Sequence, residues 1–279
     1  MRVLLTGGEG QLGSALKLAL AGHEVRAVGH SDLDVADYEG VLALVADVAP
    51  EVVVHAAAYT NVDGCERDPD LAYRVNALGT QNVALAAARV GANLVTVSTD
   101  FVFDGMKGEP YLEFDAPNPL SVYGYSKLAG ERLALALHPQ TYVVRTSWVF
   151  AKGSRSFVTT MLRLSETRDE LTVVEDERGS PTYAPDLADA IARLIGTRRY
   201  GVYHLSNEGG CSRFELAAET LRLAGRTCRV LPTTSAEYRR QNPLTARRPA
   251  DSRLRNFAAS TVLGIRLRPW RDALADMLK

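Results

Sequence analysis

The stretch Val3-Leu4-Leu5-Thr6-Gly7-Gly8-Glu9-Gly10-Gln11-Leu12-Gly13 decides the fold. A short apolar run enters a glycine-rich turn, and residues with the apolar spacing of a helix follow at once. Gly8, Gly10 and Gly13 satisfy G-x-G-x-x-G, while Gly7, Gly10 and Gly13 satisfy G-x-x-G-x-x-G. In a strand–turn–helix setting the glycines serve a tight turn, close approach of backbone to a pyrophosphate, and close packing of helix on strand. The phosphates would rest on the helix N-terminus, where unpaired N–H groups and the helix dipole favour negative charge. That setting lifts the pattern from a chance match to a dinucleotide site. Glu9, an acid among phosphates, is expected to point to solvent.

Outward from this loop, short β-branched runs alternate with longer helical segments, the pattern of a parallel sheet covered on both faces. Strands are predicted at 2–6, 24–28, 52–55, 94–98, 142–146 and 202–205. Helices are predicted at 11–21, 41–48, 71–90, 126–137, 157–167, 186–196 and 213–223, each with apolar residues at i, i+3 and i+4. The fold class is therefore α/β, a Rossmann-type doubly wound parallel sheet. Regular alternation fails after about residue 150, so a smaller, partly interleaved substrate domain is expected. Residues 1–150 with 184–207 would form the dinucleotide-binding domain, and residues 151–183 with 208–279 the substrate domain. The stretch 232–256 carries Arg239, Arg240, Arg247, Arg248, Arg253 and Arg255. It reads either as a solvated basic loop or as a lid offering planar cations to an anionic substrate.

The remaining composition narrows the partners. The 279 residues are 46% hydrophobic and 23% charged, with a net charge of −1. No whole-molecule field draws nucleic acid or an anionic membrane. No apolar run approaches the roughly 20 residues that cross a bilayer, and the first residues lack the features of a secretion signal, so a cytoplasmic protein with a small-molecule partner is expected. Cys65, Cys211 and Cys228 are widely spaced and read as structural thiols. The five histidines form no metal-binding spacing, and no metal site is expected.

A second motif is Tyr123-Gly124-Tyr125-Ser126-Lys127, whose Tyr123 and Lys127 share a helix face. Thr99 lies at the end of the predicted fourth strand, where open parallel sheets bind ligands. A free tyrosine titrates near pH 10, about three units above neutrality. An adjacent ammonium is expected to lower the Tyr123 pKa towards the useful range.

These residues resemble the extended short-chain dehydrogenase/reductases and, among them, the dTDP-4-dehydrorhamnose reductases. The likeness runs through Gly10-Gln11-Leu12-Gly13, Asp32-Leu33-Asp34-Val35, residues 54–63, Ser98-Thr99-Asp100-Phe101, residues 122–131, Arg145-Thr146-Ser147-Trp148, Gly179-Ser180-Pro181-Thr182 and Arg247-Arg248-Pro249. It covers nearly the whole chain. Two positions depart from the family: Phe101 stands where a tyrosine is usual, and Gly29 where an acid often ends the second strand.

The resemblance implies NAD(P)H-dependent reduction of the C4 ketone of a nucleotide-linked 4-keto-6-deoxyhexose, dTDP-4-dehydro-L-rhamnose being converted to dTDP-L-rhamnose. It implies that Tyr123 donates the proton, Thr99 hydrogen-bonds the carbonyl oxygen, and Lys127 holds the nicotinamide ribose. Gly7, Gly10, Gln11, Leu12, Gly13, Asp34, Val35, Ala56, Ala57 and Ala58 would line the cofactor together with Tyr123 and Lys127. Asp34 with Val35 matches the pair that contacts adenine, although an acid there also suits a helix N-cap. Thr99, Asp100 and Trp148 would face the sugar nucleotide, with a packed core aromatic as the other reading of Trp148. NADPH is the expected cofactor, with NADH also accepted, because Gly29 removes the acid that would repel a 2′-phosphate. A homodimer is compatible with the resemblance. A sugar-nucleotide 4-epimerase and a non-catalytic NADP-binding subunit, like the regulatory subunit of methionine adenosyltransferase, are the alternatives. A 4,6-dehydratase is disfavoured, because such enzymes carry a carboxylate where this chain has Phe101.

Overall fold

Strands covered on both faces need nearly unbroken apolar runs, and the computed structural model, which describes residues 1–279, joins six strands in one sheet whose inner members have that character and whose edge strand Glu24–Val28 alternates. They are β1 (Arg2–Thr6), β2 (Glu24–Val28), β3 (Val52–His55), β4 (Asn93–Thr99), β5 (Thr141–Thr146) and β6 (Gly201–His204). Their order is β6-β5-β4-β3-β1-β2, and every neighbouring pair is parallel. From β1 the chain builds outward first to one side and then, starting with β3, to the other. The C-terminal ends of β1 and β3 therefore flank the crevice where such sheets bind ligands.

The main helices are α1 (Gln11–Ala19), α2 (Tyr38–Val48), α3 (Gly79–Val90), α4 (Val122–Leu137), α5 (Ala184–Leu194) and α6 (Arg213–Leu223). Side chains along β1 alternate between faces. Val3 and Leu5 pack with Leu16 of α1 and with Leu187 and Ile191 of α5. Leu4 packs on the other face with Val41 and Val45 of α2 and with Val83 and Ala87 of α3. This two-sided cover makes the sheet doubly wound, as the sequence pattern predicts. No helix is long and apolar enough to cross a membrane.

A second group of cores forms beyond β5. Phe150, Val158, Leu216, Trp270 and Leu274 pack together, and Met161, Leu171, Val173 and Leu221 form a neighbouring cluster. A parallel pair, Glu170–Val174 with Arg229–Thr233, backs the latter. Ala258, Ala259, Ile265 and Leu267, although late in the chain, pack into the core shared by α1 and α5.

The helix expected at 71–90 is present and runs without interruption from Pro69 to Val90, but it widens part-way along. A short α-turn, Pro69–Tyr73, passes into a π-turn, Arg74–Leu78, before α3 begins. The buried Asn76 side chain accepts from Tyr59 N–H (2.8 Å) and donates to Tyr59 O (3.1 Å) and Ser126 Oγ (3.0 Å). Those remote partners match a wider turn, and local spacing carries no record of them.

Candidate active site

The glycine loop is built so that three backbones meet. Gly7 has φ +72°, and a Cβ there would lie 2.6 Å from Ala57 N and 2.8 Å from Ala56 C. At Gly13 a Cβ would lie 2.7 Å from Gly8 Cα. Any side chain at either position would push the loop, the β3 exit and α1 apart. α1 is capped at its N-terminus by Gly10, which offers no side-chain acceptor, so its first N–H groups remain available to an anion. This cradle fits the pyrophosphate of a dinucleotide. Gln11 is anchored from the second half of the chain: its amide donates to Arg155 O (3.0 Å) and accepts from Ser154 Oγ (2.8 Å).

A single cavity of about 940 Å³ runs from this cradle across the sheet's C-terminal edge. Gly7, Gly10, Gln11, Leu12, Gly13, Asp34, Val35, Ala56, Ala57 and Ala58 line it, as do Thr99, Asp100, Tyr123, Lys127 and Trp148. Every site residue expected from the sequence therefore borders one space. Asp34 is not the N-cap of α2, which is Asp37; its carboxylate accepts from Ala36 N–H (2.9 Å). Glu9 is exposed, as expected, and it also borders the cavity. Its carboxylate lies over Gly29, where a Cβ would be 2.5 Å from Oε2 and 2.8 Å from Oε1. An acid thus stands at the end of β2 after all, contributed by the glycine loop.

At the reacting end, Ser121 Oγ accepts from Gly124 N–H (3.2 Å) and starts α4 one residue before Tyr123. Tyr123 and Lys127 consequently lie one turn apart on a formed helix, opposite Thr99 at the end of β4. Burial pushes the Tyr123 phenol well above its usual value, and the neighbouring Thr99 hydroxyl only partly opposes this. Lys127, 4% exposed, is lowered to about 8 by burial, against the pull of Glu131. The expected lowering of Tyr123 by Lys127 is therefore corrected: burial dominates, Asp100 and Cys65 add to the rise, and Lys127 is not among the groups that act on the phenol. A phenol that stays protonated at neutral pH is suited to donating a proton. Phe101 meets the Tyr123 ring edge-on, with centroids 5.6 Å apart. Behind them His55 is buried between Thr6 Oγ1 (2.8 Å) and Thr80 Oγ1 (3.2 Å), and burial lowers its pKa to about 3.

Farther along, Asp100 is 2% exposed and accepts from Ser252 Oγ (2.5 Å) and Thr99 Oγ1 (3.1 Å). Burial raises its carboxyl pKa, with Ser252, Ser147, Thr99 and Arg213 acting the other way. Its oxygens are thus engaged by the protein's own hydroxyls. Trp148 takes a left-handed backbone, φ +47°, and its indole fills the space beside Gly179. It both packs against the second core group and borders the cavity, so the two readings of this residue are not exclusive.

Arg213, at the start of α6, carries no sequence signal that marks it as a site residue. Its guanidinium stacks 3.5 Å above the Trp148 ring, and burial lowers its pKa to about 10. Of the six arginines in 232–256 only Arg248 reaches the cavity, where it also pairs with Asp63 (3.2 Å). Arg253 and Arg240 are bound to Asp251 and Glu237 instead. Thr146, whose buried hydroxyl has no partner, is another cavity residue that spacing does not reveal.

The RmlD substrate binding domain matches residues 1–279. The chain belongs to the dTDP-4-dehydrorhamnose reductase family. A spore coat polysaccharide biosynthesis protein of Bacillus subtilis, SpsK, is 42% identical over 280 residues, covering 100% of this chain and 97% of that protein. A dTDP-4-dehydrorhamnose reductase of Aggregatibacter actinomycetemcomitans is 39% identical, covering 99% and 98%. The crystal structure of the Bacillus anthracis dTDP-4-dehydrorhamnose reductase in complex with NADP superposes with a TM-score of 0.95 at 40% identity, covering 99% and 98%. A Thermus thermophilus UDP-glucose 4-epimerase complex with NAD, at 24% identity and a TM-score of 0.84, shares the fold.

Proposed function

We propose that the chain catalyses NADPH-dependent reduction of dTDP-4-dehydro-L-rhamnose at C4, giving dTDP-L-rhamnose, and that NADH is also accepted. The observation that carries this reading is the joining of two sites in one cavity, with the glycine cradle at one end and Thr99, Tyr123 and Lys127 at the other. The full-length relatives named as reductases, and the relative bound to NADP, support the substrate and the cofactor.

When bound, the reduced nicotinamide supplies a hydride to the ketone carbon. Tyr123 gives its phenolic proton to the ketone oxygen, and its raised pKa keeps that proton in place beforehand. Thr99 steadies the same oxygen with its hydroxyl once the ketone displaces the contact to Asp100, so that charge appearing on oxygen meets a donor already at hand. Lys127 holds the nicotinamide ribose. Asp100, itself fixed by Ser252, keeps Thr99 in place until the ketone arrives, and Trp148 borders the sugar half of the cavity and holds Arg213 in a stack. Arg213 and Arg248, the two cavity arginines, are placed in this reading against the diphosphate. Residues 1–150 with 184–207 bind the cofactor, and most of the remainder shapes the sugar-nucleotide half.

The test is turnover of dTDP-4-dehydro-L-rhamnose with NADPH, followed by loss of reduced-nicotinamide absorbance and by chromatography of the product. Tyr123→Phe is expected to lower kcat by ~10²–10⁴ while leaving NADPH affinity unchanged. NADPH binding without turnover would overturn the reading in favour of a binding subunit. Tightly retained NAD with interconversion of sugar epimers would overturn it in favour of an epimerase.

A further inference from the structure

We infer that Glu9 sets the balance between NADPH and NADH, by supplying from the glycine loop the carboxylate that the end of β2 lacks. This rests on the reading of the cavity as a dinucleotide site. In NAD-selective folds an acid at the end of the second strand accepts hydrogen bonds from the adenosine ribose. Here β2 ends at Val28 and Gly29 follows, with no side chain to offer. The space that a side chain at Gly29 would enter is taken by Glu9, whose Oε2 and Oε1 lie 2.5 Å and 2.8 Å from the position of a Cβ.

Gly8 N–H donates to Val28 O (2.9 Å), tying the loop that carries Glu9 to the last residue of β2. Gly29 N–H donates to Asp32 Oδ2 (2.8 Å), so the donor nearest this corner is already used and a second carboxylate adds to the negative field. No lysine or arginine lines this end of the cavity. Both cavity arginines, Arg213 and Arg248, belong to the Trp148 end.

The unmodified ribose of NADH presents hydroxyl donors to Glu9, whereas the 2′-phosphate of NADPH presents only acceptors and negative charge. Glu9 is exposed and joined by flexible torsions, so NADPH can displace it by turning it outward. Glu9 therefore acts as a penalty on the phosphate and not as a barrier, which leaves both cofactors usable. A sequence reading of Gly29 alone assigns the preference to NADPH; Glu9 offsets it.

The experiment measures Kd for NADPH and for NADH by nicotinamide fluorescence, without sugar nucleotide, on the full chain and on Glu9→Gln and Glu9→Asp. Glu9→Gln keeps the length and removes the charge. It is expected to tighten NADPH about five- to tenfold, the scale of one screened charge contact near a surface, while NADH weakens or stays within about twofold. Glu9→Asp, with a shorter reach, should shift the ratio part of the way. The difference between the unaltered chain and Glu9→Gln should widen at low salt. An NADPH/NADH ratio unmoved by Glu9→Gln, with both cofactors still bound, would overturn this inference and leave the reductase reading intact. Failure of the unaltered chain to bind either cofactor would overturn both, and failure to turn over the sugar nucleotide would overturn the reductase reading without touching the ratio.

Discussion

Lys127 is charged at neutral pH although the surrounding protein excludes water from it, and the conflict has a sign that can be worked out. Its pKa falls from 10.5 in the open to about 8 in the fold. Below about pH 8 the folded protein holds a buried ammonium at a cost, and between about pH 8 and 10.5 the folded state releases its proton earlier than the unfolded state does. Stability contributed at this position therefore rises with pH through that window. Lys127→Met is expected to abolish turnover yet raise stability at pH 7, by up to about 3 kcal/mol for a shift of this size. The gain should shrink as the pH approaches 10.5. Denaturant unfolding of both proteins at pH 7, 9 and 10 checks this, and a variant less stable at pH 7 would contradict it. The motif containing Tyr123 and Lys127 was legible because both residues sit on one helix turn. Arg213 was not, because its meaning lies in a stack on Trp148 from a distant part of the chain.

At the scale of elements, the π-turn Arg74–Leu78 acts as a joint between two walls of the cavity. Asn76 binds the Tyr59 backbone on one side and Ser126, inside α4, on the other. Asn76→Ala would leave the Tyr59 N–H and C=O without these partners, at about 1–3 kcal/mol for each buried unpaired group. Because the Tyr59 backbone is only partly buried and its C=O also accepts from Cys65, the expected outcome is a loss of roughly 1–3 kcal/mol, with kcat reduced more than cofactor affinity, because the glycine loop is untouched while α4 is loosened. Thermal unfolding together with steady-state kinetics would test it, and unchanged stability would show that the joint is not needed. The same joint marks where sequence reading stops. The sheet strands were legible because burial on both faces leaves runs such as Val52-Val53-Val54 unbroken. The π-turn inside 71–90, and two-residue strands such as Val149–Phe150, depend on partners far away in sequence and have no local signature.

For the whole molecule, two buried histidines set the acid limit. His55 and His204 are both lowered to about 3, chiefly by burial. Each stays neutral when folded but takes up a proton near pH 6.5 when unfolded, so stability is full above that value and falls as the pH drops towards 3. Each is expected to remove up to about 1.4 kcal/mol per pH unit across this window. Unfolding midpoints at pH 7, 6 and 5 should show the decline, and His204→Gln should flatten it by about half. A slope the same with and without His204 would refute the assignment. His204 lies at the end of β6, and its ring pairs with Tyr111 O (3.1 Å), so the acid-sensitive point grips the segment that links β4 to α4. Another hold on that region is the bond from Ser252 to Asp100, which spans 152 positions of chain. Translation delivers Asp100 ahead of Ser252 by 152 residues, so the residue that steadies Thr99 waits through much of synthesis before it is fastened.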